Sequence, residues 1–222
     1  MWEGGKKLEI LSFDQLPSTQ RYLQEEIADK SLCAPVAVIA AEQTAGVGSR
    51  ENEWDGGRGN FFASVALPLA LLPEDLPLSS ASIYFSFIMK KVLQELGQDI
   101  WLKWPNDFYK NDEKVGGTIT HKIDQTVIVG IGINLKKSKK GYSALQYDIS
   151  PRKLLEKYLL ALEKFPKWKQ IFSEYEIEFE LSRKFSVHIE NDENEPKVSL
   201  VDAQLCSDGS ILLKGRRVYS LR

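Results

Sequence analysis

The sequence predicts an α+β fold: a mixed sheet with flanking helices to about residue 182, then a small all-β unit over 183–222. Three observations predict it. Short apolar runs of strand length are interleaved with longer stretches of helical spacing. Residues 101–123 read as a β-meander with a turn at each reversal. From Lys184 the helical spacing stops, and short alternating segments separated by tight turns suggest a small barrel.

Leu8 to Phe13 reads as the first strand. A helix follows Pro17, with Ser18 or Thr19 supplying the N-cap oxygen, and runs to about Asp29. Val36 to Ala41 is a continuous apolar run of the kind that forms a buried strand. Gln43 to Arg58 is Gly-rich and polar and reads as a long loop. Phe61 to Leu67 is a strand, and prolines punctuate the connection to Ser79. Ser80 to Leu96 has helical apolar spacing and ends at Gly97, suited to the left-handed position after a helix. Trp101 to Trp104 favours a pleated surface. Pro105 has no N–H for a ladder and biases Trp104 toward extended backbone, so Pro105-Asn106-Asp107 should turn. Phe108 and Tyr109 start a return strand, Asn111-Asp112 turn again, and Lys114 to Ile123 runs back. Thr126 to Leu135 is a buried strand interrupted by Gly130 and Gly132. Ser150 caps a helix that Pro151 opens. That pattern continues to about Phe165, resumes near Lys167 and fades around Arg183. The barrel strands are expected at 185–190, 198–206, 211–214 and 218–221.

Composition narrows the function. The 222 residues are 43% hydrophobic and 27% charged, enough to build a substantial core. A net charge of −2 supplies no global basic field for nucleic acid. Cys33 and Cys206 lie far apart and fit thiols in a reducing compartment, and neither His121 nor His188 joins a zinc-spaced cluster. The residues after Lys6-Lys7 lack the apolar stretch of a signal peptide, and the longest apolar run, Phe61 to Leu72, is too short to span a bilayer. A cytoplasmic protein without membrane or nucleic-acid partners is expected.

Two stretches carry chemistry. The meander gathers Lys103, Asn106, Asp107 and Lys114 near one end of a sheet, a place for an anionic ligand. The loop from Gln43 to Trp54 contains Gly46 and Gly48, whose backbone N–H groups could approach an anion, with Arg50 adding charge. It lacks the Gly-Lys-Ser/Thr ending of a P-loop and reads equally well as a surface loop. Ser18-Thr19 has its first reading as a cap. Gly130 and Gly132 mark either a twisted core strand or the close approach of a ligand.

Lys103-Trp104-Pro105-Asn106-Asp107, then six residues, then Lys114, closely resembles the signature of biotin protein ligases. The order Gln43, Gly46, Gly48, Arg50, Trp54 resembles their ligand-binding loop, and Ser18-Thr19 and Gly130 to Asn134 also match in family order. The resemblance implies a core like that of class II aminoacyl-tRNA synthetases, over 1–182, and an SH3-like barrel over 183–222. It implies ATP-dependent activation of biotin to biotinyl-5′-AMP, with Mg²⁺, and transfer to a lysine of a biotin carboxyl carrier protein of acetyl-CoA carboxylase or a related carboxylase. By the same resemblance, Ser18, Thr19, Gln43, Gly46, Lys114 and Gly117 bind biotin, while Ser49, Arg50, Lys103, Asn106, Asn134 and Arg222 bind ATP. Lys114, Arg50 and Asp107 are the catalytic candidates, and Asn134 is the one residue linked to a Mg²⁺ shell. Lys136 to Lys140, otherwise a solvated loop, falls where a loop closes over the adenylate, with Tyr142 the candidate for stacking on adenine.

The sequence departs from the family pattern within the glycine loop. Many relatives carry a basic residue where Val47 and Ser49 stand, and a small one where Glu51 stands. Arg50 is then left to carry the charge, and Glu51 is expected to turn outward on ligand binding. A monomer or homodimer fits equally. Two alternatives stay open: a lipoate or octanoate ligase or transferase of the same fold, and a biotin-responsive regulatory binding protein. The first normally shows three consecutive glycines, which are absent here; the second is disfavoured by the acidic balance and the lack of a helix-turn-helix pattern before the first strand.

Overall fold

The computed structural model describes residues 8–48, 53–136, 143–188 and 197–219. Strand β1 (Glu9–Phe13) leads into helix α1 (Thr19–Ala28), which returns the chain to β2 (Val36–Ala40). The two strands pair in parallel, from Glu9↔Val36 to Phe13↔Ala40. Ser18 caps α1 in extended backbone, accepting from the Arg21 N–H at 3.4 Å. The stretch expected to be all loop carries a two-residue antiparallel ladder between β3 (Gly46–Val47) and β4 (Glu53–Trp54). Even a short ladder satisfies backbone groups that a folded-over loop would leave unpaired.

Strand β5 (Phe61–Pro68) precedes helix α2 (Ala81–Glu95), and then come β6 (Trp101–Lys103), β7 (Asp107–Lys110), β8 (Glu113–Ile123) and β9 (Thr126–Ile133). These strands and the first two form one seven-stranded mixed sheet in the order β1-β2-β5-β9-β8-β7-β6. The meander is as expected: Lys103 faces Asp107 across the first turn, whose Trp104–Pro105 peptide is cis, and Asn111 takes a left-handed φ of 53° in the second.

Each face of the sheet has its own cover. On one face α1 packs Leu23 against Val36, Val38, Ala66 and Ile128. The other face carries the main core, with α2 against it, flanked by α3 (Pro151–Leu162), which reaches β5, and α4 (Trp168–Phe179), which reaches β6. Residues 81–90 of α2 are all buried, as expected for a helix enclosed on every side. Lys90 is among them, and its ammonium pairs with Glu178 of α4. The same carboxylate accepts from the backbone N–H of Leu102 in β6, so one buried ion pair links two helices to the strand that leads into the first turn.

The C-terminal strands differ in detail from expectation. Strand β10 (Ser186–Val187) pairs with β11 (Val198–Ser199), and β12 (Gln204–Leu205), β13 (Ile211–Leu213) and β14 (Arg216–Val218) form a separate three-stranded sheet. The single strand expected over 198–206 breaks at a turn where Ala203 N–H donates to Leu200 O at 3.0 Å. The last strand begins at Arg216 rather than Val218, because Lys214 and Gly215, with φ of 50° and 77°, form a two-residue hairpin turn. Val187, Leu200, Ile211 and Leu213 join the main core. Trp104 Nε1 donates to Gly209 O at 3.0 Å and Trp168 Nε1 to Ser207 O at 2.9 Å. Among the described residues no helix is long and apolar enough to cross a membrane.

Candidate functional site

A cleft opens on the α1 face of the sheet, between the start of α1, the β3–β4 pair and strands β5, β8 and β9. Its floor is open because Gly130 and Gly132 of β9 carry no side chain: a Cβ on either would meet Gln20 or Trp54.

At the inner end the chain folds three distant segments together. Gln43 Oε1 accepts from the Thr19 N–H at 2.8 Å and the Thr19 hydroxyl at 3.1 Å. The Thr19 hydroxyl also lies 2.9 Å from Ser64 Oγ of β5. Gln43 is itself fixed from behind, its N–H donating to Gly56 O at 3.0 Å. Gly56 is required there, since a Cβ would fall 1.9 Å from Gln43 O. Ser18 therefore caps α1 as read from the sequence, and both residues of the helix-start pair line the cleft.

The outer end is ionic. Asp107 stands between two ammonium groups, Lys114 Nζ at 2.6 Å and Lys103 Nζ at 3.5 Å. Lys103 is buried, whereas the Lys114 side chain is 40% exposed and reaches over the Trp54 ring at 5.7 Å. Lys114 is therefore the cation that can turn to a ligand, and Asp107 is placed to aim it. Asn106 is buried and holds the turn: its amide donates to Thr118 O, and Thr118 N–H returns a bond to Asn106 O at 3.0 Å. Burial, aided by the Asp107 charge, pushes the neighbouring Tyr109 phenol up to about 12. Outside the cleft, exposed Arg58 bonds both Asp14 (2.6 and 2.8 Å) and Glu42 (3.0 Å), clasping the segment after β4 to the one after β1; its hydrogen bond holds the Asp14 carboxyl below the usual range.

Ser18, Thr19, Gln43, Asn106, Asp107, Lys114 and Gly117 thus line one cleft. Gly46 sits beside it, where a Cβ would lie 2.9 Å from Gln43 Nε2, and Lys103 acts through Asp107. Asn134 does not line the cleft; it closes the end of β9, its amide donating to Ser143 O at 3.1 Å. Ser49, Arg50, Glu51, Tyr142, Arg222 and residues 137–140 lie outside the described residues. Sequence reasoning passed over Gln20, Ser64 and, as a site residue, Trp54. A serine amid the apolar run of β5 was the available signal for one; Gln20 and Trp54 become visible only once β9 is beneath them.

No group of three or more His, Cys, Asp or Glu able to hold a metal occurs among the described residues. The arrangement suits a small amphipathic acid: neutral hydrogen-bonding groups at the inner end and a half-exposed ammonium at the rim.

The model of the biotin/lipoate A/B protein ligase family matches residues 12–138. The bifunctional ligase/repressor BirA of Escherichia coli is 32% identical over 128 residues, covering 54% of this chain and 38% of that protein. The biotin–[acetyl-CoA-carboxylase] ligase of Paracoccus denitrificans is 36% identical over 110 residues, 44% of this chain and 43% of the other. The matched region therefore spans less than half the length of these curated relatives. Among solved structures, the biotin acetyl coenzyme A carboxylase synthetase of Helicobacter pylori, with biotinylated ATP bound, aligns with a TM-score of 0.90 at 39% identity, over 96% of this chain and 100% of that one. The Aquifex aeolicus biotin protein ligase in complex with biotin and ATP aligns at 0.74 and 22% identity over 96% of each chain, a likeness of fold.

Proposed function

The chain belongs to the biotin/lipoate A/B protein ligase family, and from that premise we propose that it joins biotin to protein at the expense of ATP. The observation that carries this reading is the two-ended cleft, with Thr19, Gln43 and Ser64 at one end and Lys114 aimed by Asp107 at the other. A neutral ring head fits the first end and a carboxylate the second.

In the proposed first step the biotin carboxylate attacks the α-phosphorus of ATP, releasing pyrophosphate and forming biotinyl-5′-AMP. Two anions must meet, so positioned positive charge supplies most of the rate. Lys114 leaves Asp107 to bridge the carboxylate and the α-phosphate. Arg50 and the backbone N–H groups of the glycine loop hold the adenylate, and Ser49 and Arg222 belong to the same nucleotide side. Lys103 and Asn106 keep the turn and its charge in place. In the second step a lysine amine of a biotin carboxyl carrier protein attacks the mixed anhydride and AMP leaves. Asp107, released from Lys114, is the group placed to take that proton.

On the protein side Mg²⁺ would be held by the Asn134 amide, whose nitrogen donates to Ser143 O at 3.1 Å, and it would supply positive charge beside the nucleotide. When bound, such an ion offsets phosphate charge. A catalytic unit over 1–182, a C-terminal SH3-like barrel, a cytoplasmic setting, and a monomer or homodimer acting without nucleic acid complete the proposal.

Mass spectrometry of the purified protein tests it, with Mg-ATP, either biotin or lipoate, and a biotin carrier domain. Biotinyl-AMP and a carrier heavier by one biotin are expected. A lipoyl product would keep the fold and reassign the cleft. Neither product, beside an active control ligase, would end the catalytic reading.

A further inference from the structure

One buried side chain that does not line the cleft joins two chain segments that do reach the ligand side. Asn60 stands just before β5 and is 4% exposed. Its Nδ2 donates to Gly57 O at 3.1 Å, on the return of the glycine loop. Its Oδ1 accepts from the backbone N–H groups of Leu135 and Lys136, at 3.0 and 3.1 Å, where the chain leaves β9. Two N–H donors can meet only the oxygen, so the orientation of the amide is fixed.

The backbone is shaped for this junction. The ladder between β5 and β9 has its last rung at Phe61↔Ile133, and beyond it the Asn60 amide makes the cross-links in place of backbone. Gly59 takes a left-handed φ of 92°, and a Cβ there would lie 2.9 Å from Lys136 Cδ, so the lysine stem lies across the glycine. Further along, the chain comes back to the same root. The Leu145 N–H donates to Asn134 O at 2.9 Å, and Asn134 Nδ2 donates to Ser143 O at 3.1 Å. Segments leaving a sheet ordinarily open at low cost, yet this one is pinned at its first two residues.

We propose that Asn60 is a positioning residue for the nucleotide. It ties the exit of β9, with Asn134 and Lys136, to the return of the glycine loop, so that groups carried by both segments meet one ATP. The proposal rests on the reading of these two segments as the nucleotide side of a biotin-activating site. Misplacing a binding group by about 1 Å can cost about a hundredfold in rate, which is why a bond remote from the reacting atoms matters.

The test is steady-state biotinyl-AMP formation by the whole protein, with Asn60→Ala and Asn60→Asp beside the wild type. Alanine removes all three bonds; aspartate keeps the two that accept and gives up the one to Gly57 O. In both variants the KM for Mg-ATP should rise at least about tenfold. The Kd for biotin alone, by calorimetry, should stay within about twofold. A rise confined to Asn60→Asp would mark repulsion between a carboxylate and the phosphates and overturn the proposal. Equal losses for biotin and ATP would mark a general structural role and overturn it too. Hydrogen exchange on the wild-type protein decides the matter should the alanine variant fail to fold. The Leu135 and Lys136 amides should gain protection when a non-hydrolysable ATP analogue is added to the biotin-bound protein, and no gain overturns the proposal. Failure of the underlying reading would look different: the wild-type protein itself would form no biotinyl-AMP.

Discussion

Replacing Gly56 by alanine adds one methyl group, yet it should disturb the inner end of the cleft more than most larger changes. The new Cβ would lie 1.9 Å from Gln43 O and 2.7 Å from Gln43 C, both backbone atoms that no rotamer change can move aside. Carbon–oxygen contacts settle near about 3.3 Å, so the two strands of chain must part by about 1.4 Å, the difference between that value and the 1.9 Å available. The Gln43 N–H to Gly56 O bond, now 3.0 Å, breaks first. Gln43 then carries its side chain away from the two Thr19 donors at 2.8 and 3.1 Å. Overpacking of this kind costs about 1–3 kcal/mol, and each lost hydrogen bond about 1 kcal/mol. With three such bonds lost, a net loss of about 4–6 kcal/mol corresponds to a fall in Tm of roughly 8–24 °C for a chain of this size. Because Gln43 and Thr19 share the inner end of the cleft, biotin affinity should fall by at least about tenfold, beyond what residual unfolding explains. Differential scanning calorimetry and titration with biotin measure the two effects. A variant with both Tm and biotin affinity unchanged would refute the argument that Gly56 is what seats Gln43.

Three further outcomes are expected. Lys114→Ala should melt like the parent, since a half-exposed pair is worth at most about 1 kcal/mol. Its rate of biotinyl-AMP formation, followed in a single turnover, should nevertheless drop at least about a hundredfold; near-normal turnover removes Lys114 from the chemistry. Glu178→Ala leaves the Lys90 ammonium buried and the Leu102 N–H without its acceptor, a loss of about 3–5 kcal/mol by denaturant titration. Burial holds Lys90 below the usual lysine range, against the pull of Glu178. The unfolded chain thus binds that proton more tightly, stability rises with pH between the two pKa values, and the deficit of the variant should shrink as alkali is added. A deficit independent of pH would dissociate it from the Lys90 charge. Finally, Tyr109 should ionise only near about 12, so its stabilising contribution is complete below the ordinary tyrosine value of 10.0 and fades as pH climbs toward 12. Ultraviolet titration of Tyr109→Phe should lack one late-ionising phenol, and loss of an early one instead would contradict the burial argument.

What could be read from the sequence was local. The caps at Ser18 and Ser150, the turn at Pro105 and the left-handed turn at Asn111 depend on a few adjacent residues, and they stand where the pattern put them. The pairing of Lys103, Asp107 and Lys114 followed from the same logic, since a meander brings its own neighbours together. The inner end of the cleft could not be read this way. Thr19 meets Gln43 only because β2 returns beside β1, and Ser64 joins them only because β5 pairs with β2. Gln20 sits next to the recognised Ser18-Thr19 pair, but its importance depends on Gly130, which lies beneath it through strand order and not through spacing. Asn134, at the end of the Gly130–Gly132 strand, also gains a partner that spacing could not show: its amide nitrogen donates to Ser143 O. In the C-terminal region, β-type composition was visible, while the break near Asp202 and the Lys214-Gly215 turn reset the strand limits.

The bond from the Trp104 indole to Gly209 O has a bearing on protein engineering. Trp104 is wholly buried and stands one residue from Lys103, so the turn that presents Asp107 and Lys114 hangs from a carbonyl more than a hundred positions along the chain. Gly209 itself has a φ of 76°, and a Cβ there would sit 2.3 Å from Ser80 Oγ. Grafting the last forty or so residues from a relative would therefore import a new hook for the turn, and the graft would need a glycine at the matching place. Chimeras cut at 182/183 should be screened for that carbonyl before their kinetics are compared.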